Sequence, residues 1–570
     1  MKKKKSIIIK TVIALMLNFL LIGAWAYLPG NLYSVFDGLV SGVNPLNAVM
    51  MVREVNSDYI SENQKKTDIL HYGIKVDLFP EKEFINGSVE ITGNVTDRSI
   101  RQIELNFYDN MEIKSLELNG KETEYEREET KLLIPYKDEV KGFTIKINYA
   151  GKPRKMGFDS FTFDKFGNRP VVFTLNEPVY ASTWLPCSDR PDDKADVDIW
   201  ITNDSSKTSV SNGSLIDISN NKERRTYHWR SSYPISTYLI CIYSADYRHF
   251  KEEYTSSEGR KMNIDYYAFP EHLDMAMKDF PGHSEIMKVF AKLFGEYPFI
   301  KEKYGVAEFL WPMGAMEHQT ITGIGANFVN GARLFNDFYV HELAHQWFGN
   351  SVGPATWKDI WLNEGFASYC EALYDEQVSG KDAYNSQMLS KFSSDFRGTL
   401  YDPGINMFGS TVYDKGAWVL HMLRNETGDS VFFKIIRSYY DKFKYKNAST
   451  KDFIEVVNQG SGRNFDYFFR QWVYEGKGII NLSYGWEQKR LDGGKYHIKV
   501  KFIQTQSGYP VYRFPLEVKF TYKDGTENVI KNLYIDTQEK LFEEDFDREI
   551  SSIDINPGHK VLLNEKKVEL

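Results

Sequence analysis

His341, Glu342 and His345 stand in the run His341-Glu342-Leu343-Ala344-His345, an H-E-x-x-H pattern. Side chains four apart on a helix share a face, so two imidazoles at this spacing can reach one Zn²⁺ at ~2.0–2.1 Å. Glu342 falls beside them, placed to take a proton from a nucleophilic water. With 11 histidines in 570 residues, chance supplies the pattern only about 0.015 times, so two unrelated histidines on one helix are the weaker reading. A third donor, Glu364, lies in Trp361-Leu362-Asn363-Glu364-Gly365-Phe366-Ala367, at the start of another helical run that ends near Tyr374. Two imidazoles and one carboxylate leave a fourth position for water, the arrangement of a catalytic zinc and not of a structural one.

Three further segments carry candidate chemistry: Gly314-Ala315-Met316-Glu317-His318, Thr174-Leu175-Asn176-Glu177 followed by Pro186-Cys187-Ser188-Asp189-Arg190-Pro191, and Val412-Tyr413-Asp414-Lys415-Gly416. Taken with HELAH, an eighteen-residue gap and Glu364 of NEGFA, they resemble the M1 family of zinc aminopeptidases, within the gluzincin group. Gly314 to His318 resembles the family's GAMEN exopeptidase motif. The Thr174–Glu177 segment is similar to the stretch whose Gln or Glu faces the substrate amine, and Val412–Gly416 looks like the catalytic-tyrosine segment. The resemblance covers about residues 67–480.

The resemblance implies one Zn²⁺ held by His341, His345 and Glu364, with Glu342 as general base and Tyr413 as a catalytic hydrogen-bond donor to the oxyanion. Packing is the alternative role for Tyr413 in a chain with 36 tyrosines. Glu177 and Glu317 are the candidate anchors for a peptide's α-amine; carboxylates at a fixed distance from the metal measure off one residue. Backbone amides of Gly314, Ala315 and Met316 can grip the substrate main chain. Two residues depart from the family pattern: His318 replaces its usual Asn, and Leu175 replaces a Gln. Both bear on side-chain preference. His318 reads as a substrate contact, a hydrogen-bonded structural side chain or an extra metal ligand.

The elements that must position these residues follow from periodicity. Tyr72, Ile74, Val76 and Leu78 alternate, as do Phe143, Ile145, Ile147 and Tyr149, which predicts an antiparallel β-rich domain over 67–250. Ile286, Val289, Phe290, Leu293 and Phe294 follow a helical period with Gly295 as the cap, opening a mainly helical region over 251–478 that the resemblance makes thermolysin-like. Asn336 or Asp337 is the expected cap of the HELAH helix and Gly349 its end. Alternation returns at Tyr496, Ile498, Val500 and Phe502, predicting a small β-sandwich over 479–570. The expected fold class is therefore α+β and multidomain.

Composition narrows function. The net charge of −8 argues against nucleic-acid binding, which needs a basic surface. Three widely spaced cysteines form neither a disulfide framework nor a metal site, and Cys187 reads as a packed thiol. Lys2 to Lys5 and Lys10 precede an apolar run from Thr11 to Leu28, so residues 1–28 read as an export segment and 29–66 as a spacer. A membrane anchor with the catalytic domain outside the cytoplasm is the favoured reading; a signal peptide cleaved near Ala26, giving a secreted protein, is the alternative. The expectation is a zinc aminopeptidase acting on peptides with a free N-terminus. Its rivals are a zinc endopeptidase or dipeptide-releasing peptidase and, from another class, a non-catalytic peptide-binding protein that retains the fold. No sequence feature points to an oligomeric state.

Overall fold

Tyr72, Ile74, Val76 and Leu78 occupy one face of β1 (Thr67–Phe79), and each is at most 1% exposed. The computed structural model describes residues 60–137, 141–525 and 527–569; the export segment and most of the spacer lie outside them. No helix among the described residues is long and apolar enough to cross a membrane.

An eight-stranded sheet dominates the first domain. β1 is flanked by β2 (Phe84–Val95), which pairs in turn with β3 (Gly142–Gly151). A hairpin of β4 (Phe161–Phe166) and β5 (Arg169–Thr174) belongs to a second sheet and delivers the chain directly to Leu175 and Glu177. The other neighbour of β1 is β6 (Ala195–Asp204), which pairs with β7 (Arg224–Ile235). The β1–β6 pairing is parallel, with Tyr72 opposite Val197, so the domain is not purely antiparallel. Parallel neighbours need a long crossover, and the roughly hundred residues between β2 and β6 supply it.

The middle region also carries a sheet. Its five strands are β8 (Arg248–Thr255), β9 (Lys261–Ala268), β10 (Tyr304–Phe309), β11 (Ala315–Met316) and β12 (Thr322–Gly325), in the order β8-β9-β10-β12-β11. β8 spans the expected boundary at residue 250. α1 (His283–Phe294) and α2 (Asn336–His345) stand against this sheet, α3 (Trp361–Ser379) packs on α2, and α4 (Gly416–Thr427) packs on α3. α1 ends at Gly295 with φ +112°, a backbone conformation that glycine reaches without strain.

The expected cap of α2 is different. Asn336 is already helical, and its Oδ1 accepts from Arg333 Nε at 2.8 Å, so it is engaged elsewhere; Asp337 accepts instead from Gln387. Gly349 lies four residues beyond the end of α2, at φ +136°, and a Cβ there would stand 3.0 Å from His345 Nδ1. Beyond Ile480 a four-stranded and a three-stranded sheet face each other, with Phe520 of one packed on Phe542 and Phe546 of the other at 5.7 and 4.9 Å.

Candidate active site

α2 and α3 lie side by side, and the helical spacing of their motifs brings three donor atoms together. His341 Nε2 and His345 Nε2 are 3.0 Å apart, and Glu364 Oε2 is 3.2 Å from each. Two nitrogens bound tetrahedrally to one zinc at ~2.05 Å would stand about 3.3 Å apart, close to this spacing. Outer partners fix the rings: His341 Nδ1 donates to Glu371 Oε1 at 2.8 Å, and His345 Nδ1 donates to the Phe348 carbonyl at 3.0 Å. With the proton held on each Nδ1, both Nε2 lone pairs converge on one point. This donor set fits a zinc ion.

Glu371 is held in turn by Lys391, whose Nζ is 2.6 Å from Oε2. Burial opposes the Glu364 charge, but His345 and His341 overcome it and hold the carboxyl down to about 2. Glu342 stands on the same helix as the two histidines, with Oε2 buried and unpartnered; burial, above all, pushes it up to about 8.

Glu177 and Glu317 come from different domains and meet beside Glu364, with one carboxylate oxygen of each residue lying within 4.8 Å of the other two. Each keeps an Oε1 buried and without a protein partner. Burial raises both pKa values, and the Glu317 charge raises that of Glu177 further. Asn176 steadies the first anchor, donating to the Ile240 carbonyl at 2.6 Å and accepting from Trp184 Nε1 at 3.0 Å. Asn350 Nδ2 and Gln346 Nε2 bind the Glu317 carbonyl at 2.6 and 3.3 Å and steady the second. Ala315 and Met316 form the outer strand of the five-stranded sheet, and Gly314 accepts from Gly325 N at 3.0 Å.

Tyr413 sits in a wide π-helical turn, Thr411–Lys415, with its ring 5.8 Å from that of His341 and nearly parallel to it. Burial raises its pKa well above the ordinary value, so the hydroxyl stays protonated and able to donate. Gly365 and Gly416 let this segment approach Glu364: a Cβ on Gly365 would stand 2.9 Å from Gly416 Cα.

One cavity of about 480 Å³ is lined by Glu177, Glu317, Glu342, Glu364, Tyr413 and both histidines. Gly314, Ala315, Met316 and Leu175 line it too. His318 does not. Its ring is fully buried behind the motif, with Nδ1 2.6 Å from the Tyr243 hydroxyl, and burial pushes its pKa down to about 3. Tyr243 is itself pressed against Gly323, where a Cβ would meet the hydroxyl at 2.2 Å. Of the three roles open to His318, the structure therefore supports the hydrogen-bonded structural one. Cys187, Cys241 and Cys370 are free and buried.

The peptidase M1 N-terminal domain model matches residues 69–239, and the peptidase family M1 domain model matches residues 280–472. The chain belongs to peptidase family M1. This M1 chain is 25% identical over 476 residues to a probable aminopeptidase 1 of Sulfurisphaera tokodaii, a match covering 78% of this chain and 57% of that one. It is 26% identical over 462 residues to the glutamyl aminopeptidase of Rattus norvegicus, covering 73% and 48%. The chain thus spans about half the length of the curated relatives it matches. Its fold is similar to that of Legionella pneumophila aminopeptidase A, solved with aspartic acid, at a TM-score of 0.77 and 19% identity over 88% of this chain and 60% of that one. A mutant M1 zinc metallopeptidase from Deinococcus radiodurans, bound to a Tyr-Ser-Ala substrate, is similar at 0.63 and 22%, over 72% and 94%.

Sequence motifs alone do not single out Glu371, Lys391, Gln346, Asn350 or Tyr243. Glu371 carries the one readable signal, seven residues after Glu364 and so on the same face of α3.

Proposed function

We propose that this M1 chain is a zinc-dependent aminopeptidase that removes the N-terminal residue of peptides. The observation that carries the reading is the sharing of one cavity by the His341–His345–Glu364 donor set and the unpartnered carboxylates of Glu177 and Glu317. One zinc ion, held by the three donors, would supply Lewis acidity and make water a nucleophile at neutral pH. Glu177 and Glu317 hold the substrate ammonium by charge-assisted hydrogen bonds and set the scissile carbonyl one residue away. The outer edge of β11 offers backbone groups to the peptide main chain. Glu342 takes the proton from the attacking water and passes it to the leaving amine. Tyr413 donates to the oxyanion that forms.

The deciding measurement is kcat/KM for matched aminoacyl amides, free and N-acetylated, with and without a chelator. Acetylation removes the substrate charge and should cost more than ~10² in kcat/KM, because two buried carboxylates then face a neutral amide. Glu317→Ala should erase most of that discrimination by slowing the free-amine substrate. Equal rates on both substrates would favour an endopeptidase, and no chelator-sensitive turnover on any peptide would favour a binding protein.

We further propose that residues 1–28 anchor the chain in a membrane with its catalytic region outside the cytoplasm. The cationic cluster before an apolar run supports this placement.

A further inference from the structure

The cavity is lined by both aromatic and charged side chains. Phe158 packs edge-on against Trp311 and Phe408, with ring centroids 5.5 and 5.1 Å away. Leu175 and Met313 line the same cavity: Leu175 N donates at 3.0 Å to the carbonyl of Ser160, two residues from Phe158, and Met313 is two residues from Trp311. Behind Phe158 and Phe408 lies a small separate core of Tyr108, Met156 and Tyr180, each at most 8% exposed, which fixes the rings in place. Asp337, Glu371, Lys391 and Asp414 line the cavity as well. Among the described lining residues, Lys391 is the one lysine or arginine, and Glu371 engages it at 2.6 Å.

The first residue of a bound peptide bears its side chain on the same carbon as its amine. Whatever holds the amine therefore decides which wall the side chain meets. Leu175 is two residues from Glu177, and Trp311 and Met313 precede Glu317 by six and four. The geometry points to a binding site for a large apolar or aromatic side chain at the substrate N-terminus, formed by Phe158, Leu175, Trp311, Met313 and Phe408. This deepens the aminopeptidase reading and rests on it for the position of the amine. An acidic side chain placed there would lose its water to aromatic rings, with the Glu177 and Glu317 charges close by and no free cation to pair with. A small side chain would leave the wall unfilled.

The test is a panel of Phe, Leu, Ala, Lys and Glu amides on the unmodified zinc-loaded protein. Phe and Leu amides should exceed Ala by more than ~10-fold and Glu by more than ~10²-fold in kcat/KM, the scale on which an apolar pocket discriminates. Glu or Lys amides cleaved as well as Phe would overturn the inference. Met313→Arg places a cation on the half-buried part of the wall and should raise the Glu-to-Phe ratio at least ~10-fold; an unchanged ratio in the folded variant removes Met313 from the site. Calorimetric titration of phenylalanine amide and glutamic acid α-amide into zinc-loaded Glu342→Gln separates this inference from the activity. Tighter binding of the phenylalanine compound without turnover of any substrate by the unmodified protein keeps the pocket and rejects the aminopeptidase, whereas equal binding rejects the pocket.

Discussion

Five buried glutamates, Glu177, Glu317, Glu342, Glu364 and Glu371, line one cavity, and their immediate neighbours divide four tasks among them, with Glu177 and Glu317 sharing one. Glu364 faces two imidazole Nε2 atoms, Glu371 faces an imidazole N–H and a lysine, and Glu342 keeps a free acceptor. Removing the charge of Glu342 alone should therefore separate binding from chemistry. Glu342→Gln should keep zinc while kcat falls by roughly 10²–10⁴, the scale of a lost general base. His341→Ala, His345→Ala and Glu364→Ala should each lose zinc on dialysis. Metal content and kcat, measured together, check both statements; full zinc in all four variants would refute the ligand set. His318→Asn makes the contrasting case. The ring is bonded to Tyr243 outside the cavity, so the substitution should lower thermal stability while the ranking of aminoacyl amides stays as it is. A changed ranking would place His318 in contact with substrate after all. His341, His345, Glu177, Glu317, Glu342, Glu364 and Tyr413 are readable in the chain because each sits in a dense motif, whereas Glu371 stands outside them. Lys391, Gln346 and Asn350 are not, since a lone lysine or amide acquires its partner only when α2, α3 and the Glu317 loop are packed together.

At the scale of elements, the site depends on how closely two segments approach. Gly365 and Gly416 are in mutual contact, and a Cβ on either would come within 2.9 Å of the other's Cα. Backbone must move to admit it, because no flexible side chain lies between them. Gly365→Ala should cost about 1–3 kcal/mol by overpacking. It should also lower kcat, because the same displacement carries Tyr413 away from Glu364. Thermal unfolding and kcat on one free-amine substrate measure the two effects; a variant unchanged in both would show that the segments have slack. Both glycines are visible in the motifs, but the contact between them is not. The same limit applies to strands. Alternation marks β1 and β3, each with one face in the core, whereas Tyr304–Phe309 is buried on both faces and shows no period of two. That is why β10, the central strand of the five-stranded sheet, is hidden within a stretch whose periodicity is mainly helical.

At the scale of the whole molecule, the cavity belongs to two domains, and several of the bonds between them lie close behind one anchor. Asn212 donates to the Gln319 carbonyl at 2.8 Å, and Gly213 N donates to Thr320 Oγ1 at 2.7 Å. All of these groups belong to the described residues, so deleting Met1 to Leu28 should leave a soluble and active protein. Expression of the full chain that yields protein in the medium with Tyr27 as its first residue would instead establish cleavage.

Lys194, just before β6, ties the first domain to three carbonyls of the second. Its Nζ donates to the carbonyls of Asn350, Ser351 and Lys446 at 2.7, 3.0 and 3.1 Å. Asn350 in turn holds the Glu317 carbonyl. The first domain therefore both supplies Glu177 and, through Lys194, braces the loop that carries Glu317. Lys194→Met keeps most of the apolar stem and leaves three carbonyls without their donor, which should destabilise the protein by about 1–3 kcal/mol. The brace predicts a second effect that a purely structural lysine would not produce. As the Glu317 loop loosens, KM for free-amine substrates should rise more than for acetylated ones, because only the former depend on the spacing of the two carboxylates. Thermal unfolding together with KM for the matched pair measures both. An equal rise in the two KM values would mean that Lys194 holds the domains together without setting the distance between their anchors.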